Sequence, residues 1–218
     1  MNKYTAWYCY DAWCGWCYGF SSVIKKAAAE FAPLMNFEVL SGGMILPETP
    51  GHIGLMAGYI EKNYPRVEEL TGAVFGADYL WHIRNPDKSD WFPSSEKPAI
   101  ALAVFKEYYP EQQVAFAGSL QHALFYEGRD LTDNEAYRHL LHEYHLPELE
   151  FYEKLASDTY RDKAHEEFAL CKQLRVTGYP ALFIQTGETR FYQAAAGYTS
   201  YENLHQTIEN ILKTEKNG

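Results

Sequence analysis

Residues 4–10, Tyr-Thr-Ala-Trp-Tyr-Cys-Tyr, carry aromatic or apolar side chains on both alternating faces. A strand of that kind is covered on two sides, as in a parallel sheet. Apolar positions then recur at helical spacing from Cys14 through Val23, Ile24, Ala27, Ala28 and Phe31, and Pro33 ends the run. A second short strand is expected over residues 37–40, closed by Gly42 and Gly43. Strand, helix and strand at this separation predict a βαβ unit with parallel strands and a right-handed crossover.

From about Pro47 to Leu174 the pattern turns helical. Pro98 is expected at the first position of a helix carrying Ile100, Leu102, Val104 and Phe105. Thr132 and Glu135 have the spacing of a capping box ahead of Leu140, Leu141 and Tyr144. Pro147 starts another turn, and Asp158 is placed to cap a long helix through Phe168, Cys171 and Leu174. Strand chemistry returns after Pro180 with Ala181, Leu182, Phe183 and Ile184; Thr186-Gly187 supplies a turn, and residues 190–193 pair back. A last helix, capped by Ser200, carries Leu204, Ile208 and Ile211 on one face. The order β-α-β, helices, β-β-α predicts an α/β protein: a thioredoxin-like fold, residues 1–46 and 175–218, split by a large all-helical insertion, residues 47–174.

The 218 residues are enough for one core with such an insertion. The formal charge of −10 argues against nucleic acid and anionic membrane surfaces as partners, because both are held by Lys and Arg. That charge is local. Residues 48–167 hold 22 acidic and 11 basic side chains, the flanking segments 7 and 8, so the strand-bearing remainder is nearly neutral. No apolar run approaches the ~20 residues of a membrane span. The N-terminal apolar stretch is broken by polar residues and leads directly into a cysteine pair, unlike a cleaved signal. A soluble, cytoplasmic protein is expected.

Cys14-Gly15-Trp16-Cys17 lies just after the first strand, where a helix opens. A thiolate is the reactive form of cysteine, and unpaired N–H groups at a helix start favour it. Cys14 is expected as the exposed nucleophile, with Cys17 one turn behind it to resolve a mixed disulfide. Half of a zinc site has the same spacing but wants a second Cys or His pair, which Cys9 and Cys171 do not supply. No metal is expected. Those two thiols read as small buried hydrophobes.

Val176-Thr177-Gly178-Tyr179-Pro180-Ala181-Leu182 places a proline at the start of the third strand. With Cys14-Gly15-Trp16-Cys17 and the helical insertion, the chain resembles the DsbA-like branch of the thioredoxin superfamily. It is most similar there to the cytoplasmic protein-disulfide-isomerase-like group. Residues 11–20, Ser41-Gly42-Gly43-Met44, residues 127–133 and residues 176–182 carry the likeness. The resemblance implies thiol–disulfide oxidoreductase activity of oxidase, reductase or isomerase type, and a cis Tyr179–Pro180 bond against the Cys14 sulfur. Substrate would be held by Trp16, Gly178, Tyr179 and Pro180. The redox-active disulfide serves in place of a cofactor. Partners would be protein or small-molecule thiols and disulfides, with glutathione a candidate co-substrate.

Kappa-class glutathione transferases and 2-hydroxychromene-2-carboxylate isomerases share the superfamily but generally have serine where Cys14 stands. A glutathione-dependent isomerase or transferase is therefore the alternative reading, and a chaperone-like binding module a further one. Trp13, Trp16 and Tyr18 are candidates to line an apolar groove. Asp11 suits either capping of the turn or proton transfer to Cys17. His139, His142 and His145 spread across a wide helical sector and read as a solvated face. The Gly pairs near residues 42 and 51 lack the context of a nucleotide loop.

Overall fold

The computed structural model describes residues 4–46, 48 and 51–217, with side chains to residue 215. Strand β1 (Tyr4–Tyr10) occupies an interior position in a four-stranded sheet of order β2-β1-β3-β4. It pairs in parallel with β2 (Met35–Ser41) and antiparallel with β3 (Ala181–Gln185), which pairs antiparallel with β4 (Phe191–Ala196). Helix α1 (Gly15–Phe31) makes the crossover between β1 and β2, and α9 (Tyr201–Asn217) closes the chain. The double-sided apolar pattern of residues 4–10 has its cause here. Tyr8 and Phe20 pack ring to ring on the α1 side, while Cys9 joins Leu40, Cys171, Ala181 and Phe183 in a separate small core.

Between β2 and β3 run α2 (Gly54–Thr71), α3 (Ala77–Arg84), α4 (Glu96–Tyr108), α5 (Gln113–Phe125), α6 (Arg138–Glu143), α7 (Glu148–Leu155) and α8 (Asp158–Gln173). Helices α5 and α8 pack on β2, and α5 also lies against α1. One apolar core therefore runs through strand and helical regions alike, joining Tyr10, Phe20 and Ile24 to Phe75, Leu120 and Phe125. Residue 47, the expected start of the insertion, lies outside the described residues. Two polar clamps tie the helices together. Lys106 pairs with Glu167 at 2.5 Å, both mostly buried, and Glu167 also accepts the Ser41 N–H at 2.9 Å. Glu107 on α4 receives Lys163 at 2.6 Å and Lys154 at 3.1 Å, from α8 and α7.

Several helix starts differ from expectation. Helix α4 begins at Glu96, two residues before Pro98, and Ser95 provides no side-chain cap: its oxygen accepts the Ile45 N–H while its hydroxyl donates to Asp11. The Thr132 hydroxyl bonds Asp130, so Asp133 caps a short 3-10 turn (Asn134–Tyr137) that precedes α6. Ser157, not Asp158, caps α8, because its side chain accepts the Thr159 N–H. Strand β4 runs on to Ala196, through alanines of low strand propensity that sequence does not mark.

Candidate functional site

The cysteine turn hangs from the end of β1. The Asp11 carbonyl accepts the Cys14 N–H at 3.1 Å, and the Cys14 carbonyl accepts the Tyr18 N–H at 3.1 Å, which starts α1. Cys14 is the N-cap, and its sulfur accepts the Cys17 N–H at 3.2 Å. One unpaired donor of the helix start is thus turned onto this sulfur. Cys14 retains 7% of its surface and Cys17 none. The nucleophile expected to be exposed is enclosed almost completely, in company with Trp13, Trp16, Phe75 and Tyr179.

Asp11 is the hub of the turn. Its carboxylate accepts the Trp13 N–H at 2.9 Å, the Ser95 hydroxyl at 2.9 Å and the Met44 N–H at 2.8 Å. Ser95 Oγ in turn accepts the Ile45 N–H at 3.0 Å, and Trp13 Nε1 donates to the Ser94 carbonyl at 2.8 Å. Three separated segments are thereby fixed around the cysteines. Burial lifts the Asp11 carboxyl above its ordinary range, and these hydrogen bonds pull against that lift. Burial also raises the Cys17 thiol, followed by its hydrogen bond with Cys14 and the charges of Cys14 and Asp11. Cys17 is therefore held as a thiol.

From the far end of the chain, Tyr179 meets the pair. The Tyr179–Pro180 peptide is cis, and the Cys14 thiol donates to the Tyr179 carbonyl at 3.5 Å. The Tyr179 hydroxyl donates to the Gly42 carbonyl at 2.9 Å, and a Cβ on Gly42 would fall 2.2 Å from the ring. Only glycine lets the ring lie there. The Pro180 carbonyl is taken by the Gly197 N–H at 2.7 Å. Gly178 and the Tyr179 N–H have no hydrogen-bond partner among the described residues, so a short edge of backbone stays open beside the sulfur.

A groove of about 480 Å³ opens over Cys14. Trp13, Trp16, Met44, Thr177, Gly178 and Tyr179 form one side. Leu55, Met56, Tyr59, Ile60, Asn63 and Tyr64 of α2 form the other, and Phe75 and Phe125 also line it. Among the described residues, no charged side chain lines it. Leu55 keeps 82% of its surface and Tyr59 69%. Sequence reading missed the α2 wall. Its helix buries only Ala57 and Val67, so the apolar periodicity that marks a core-facing helix is thin.

Other expectations fall elsewhere. Trp13 and Trp16 line the groove, but Tyr18 does not. It stacks on Phe125 at 5.2 Å and faces a separate 580 Å³ cavity between α1 and α5. His139 is not on a solvated face: it pairs with Glu127 at 3.3 Å, and burial lowers its pKa. His145 lies beyond the end of α6 at φ 54°. Cys9 and Cys171 are buried together on the sheet face away from α1, and Cys171 bonds the Ser41 carbonyl at 3.5 Å.

Residues 83–209, more than half of the chain, match the model of the DSBA-like thioredoxin domain. The chain belongs to that family. The matched segment contains the Tyr179–Pro180 bond, while the cysteine turn of this DSBA-like protein precedes it. No curated protein sequence matches. Among solved structures, a candidate protein disulfide isomerase of Nitrosomonas europaea is 24% identical, with TM-score 0.83, covering 98% of this chain and 99% of its own. The cytosolic disulfide reductase DsbM of Pseudomonas aeruginosa, solved with GSH, is 26% identical, with TM-score 0.72 over 98% and 100%. A 2-hydroxychromene-2-carboxylate isomerase shares the fold at 13% identity, TM-score 0.64, over 96% and 95%. Within the described residues, no helix is long and apolar enough to cross a membrane.

Proposed function

We propose that this DSBA-like protein is a cytoplasmic thiol–disulfide oxidoreductase working through Cys14 and Cys17. One observation carries the reading: the Cys14 sulfur sits between the Cys17 N–H at 3.2 Å and the Tyr179 carbonyl at 3.5 Å, at the floor of an apolar groove. In the reductive direction the Cys14 thiolate attacks one sulfur of a substrate disulfide. That S–S bond breaks, one substrate thiolate leaves and takes up a proton, and a mixed disulfide joins Cys14 to the other half. Cys17 then loses its proton and attacks the Cys14 sulfur, forming the Cys14–Cys17 disulfide and releasing the second substrate thiol. The substrate gains two electrons, and two external thiols, themselves joined into a disulfide, reduce the Cys14–Cys17 pair again. Run in reverse, the same steps oxidise a dithiol.

The open backbone at Gly178 and Tyr179 suits pairing with an extended chain beside the reacting sulfur. Cys17 favours dithiol chemistry over a glutathione-dependent isomerisation, which needs no resolving thiol. Glutathione remains a candidate source of electrons, since the related DsbM was solved with GSH. A Cys17→Ser variant expressed in cytoplasm is expected to accumulate mixed disulfides on Cys14, identified by mass spectrometry. Recovery of no thiol-linked protein or glutathione, with the variant folded, would refute the proposal.

A further inference from the structure

Helix α5 buries most of its surface, and two deeply buried amides interrupt its apolar faces: Gln113 and Gln121 keep 2% and 1% of their surface. An amide at that depth is costly unless its donors and acceptor find partners. Gln113 finds them away from the cysteines. Its Nε2 donates to the Pro110 carbonyl at 2.8 Å and to Glu38 at 2.9 Å, and its Oε1 accepts the Val39 N–H at 2.7 Å. Gln121 reaches the cysteine turn. Its Nε2 donates to the carbonyls of Asp11 at 3.1 Å and of Cys14 at 3.4 Å.

Those two carbonyls do not depend on Gln121 for a partner. Asp11 O already accepts the Cys14 N–H, and Cys14 O the Tyr18 N–H, each at 3.1 Å. An apolar side chain of similar size would leave both paired and would suit its surroundings in α5. What the amide adds is specific to the turn. It ties both ends of the segment from Asp11 to Cys14 to one rigid helix, and it sets the positive edge of a dipole under the residue bearing the nucleophile.

We propose that Gln121 is a positioning residue for exchange at Cys14 and Cys17, acting through the Asp11 and Cys14 carbonyls to hold the turn and to favour negative charge on the Cys14 sulfur. The inference rests on the oxidoreductase reading above. Preorganised dipoles aimed at developing charge act strongly in an enclosed site, and the floor of this groove is one. Cys14 does not touch the amide; the effect passes through its own backbone.

The test uses the full chain equilibrated in mixtures of glutathione and glutathione disulfide. In this exchange one Cys14–Cys17 disulfide and two glutathione thiols give the dithiol and one glutathione disulfide. Alkylation and mass measurement give its equilibrium constant. Gln121→Met is expected to lower that constant about threefold to tenfold, the reach of a single hydrogen bond. The rate at which Cys14 is attacked or attacks should fall with it. Gln113→Met, a change of equal chemistry on the same helix, should lower thermal stability and leave the constant within about twofold. Gln121→Glu, which keeps the shape and replaces the donors by an oxygen, should lower the constant further, and it serves where Gln121→Met does not fold. A folded Gln121 variant with an unchanged constant, or an equal change in Gln113→Met, overturns the role of Gln121 alone. If the unsubstituted chain does not exchange with glutathione or a small dithiol, the oxidoreductase reading falls as well.

Discussion

The sulfur of Cys14 lies 3.5 Å from the carbonyl oxygen of Tyr179, although 165 residues separate them in the chain. This contact joins the helix-opening turn after β1 to the segment that leads into β3. It also places the open backbone of Gly178 and Tyr179 next to that sulfur.

The contact depends on a missing side chain. Gly42 leaves the space in which the Tyr179 ring lies, and a Cβ there would sit 2.2 Å from ring carbon. Gly42→Ala is expected to push the ring outward and take the Tyr179 carbonyl with it. Displacement of about 1 Å at a reacting centre is enough to cost on the order of a hundredfold in rate. Stability should fall by about 1–3 kcal/mol, as for other overpacked sites. Disulfide reduction and thermal unfolding, measured on the same preparation, separate the two effects. Unchanged kinetics would mean that Tyr179 does not hold the substrate.

Selectivity is expected to reside in α2. Leu55 and Tyr59 are exposed on the groove wall, so replacing them disturbs little of the core. Leu55→Asp should raise KM about tenfold for a peptide disulfide flanked by apolar residues, because burying one leucine-sized contact is worth about 1.5–3 kcal/mol. Reduction of glutathione disulfide should change less than about twofold. Equal losses for both substrates would show that the wall shapes the site as a whole and does not select among partners.

Acid should act through Glu107. Its hydrogen bonds with Lys163 and Tyr160, and then Lys154, hold its carboxyl down at about 2, against an ordinary 4.5. A carboxyl lowered on folding lends stability that is complete above its unfolded pKa and is lost as pH falls toward the folded one. Melting temperature should therefore drop between about pH 4.5 and about pH 2, and Glu107→Gln should flatten that part of the profile. The side chain keeps more than a third of its surface, so solvent screens the effect and added salt should reduce it. A variant whose melting temperature follows pH as the parent does would contradict this assignment.

Much of the strand-bearing half is legible in the sequence, because its signals are local and strong. Residues 4–10 are apolar on both faces, Pro33 and Gly42-Gly43 punctuate the crossover, and Pro180 marks the entry to β3. The cysteine pair declares its own chemistry by position. The helical half is harder to read. Helix α2 has two fully buried side chains and an internal Pro65, so its periodicity is faint, yet it forms half of the groove. Helix α5 fails in the opposite way: it is covered nearly all round and shows no stripe. Gln121 looks like any surface glutamine until the fold brings it under Cys14. The capping box expected at Thr132 does not form, because its hydroxyl turns to the nearer Asp130.

The groove has walls from two sources. The cysteines sit on the β1–α1 turn beside the approach to β3, while α2 contributes an exposed apolar face that the core scarcely uses. Leu55 and Tyr59 on that face are exposed, and the Asp11 carboxylate bonds Trp13, Met44 and Ser95, none of them on α2. On the proposed reading, partner choice and electron transfer are carried by different elements of this molecule. A new clientele requires only a repainted helix, laid over an unaltered reaction centre.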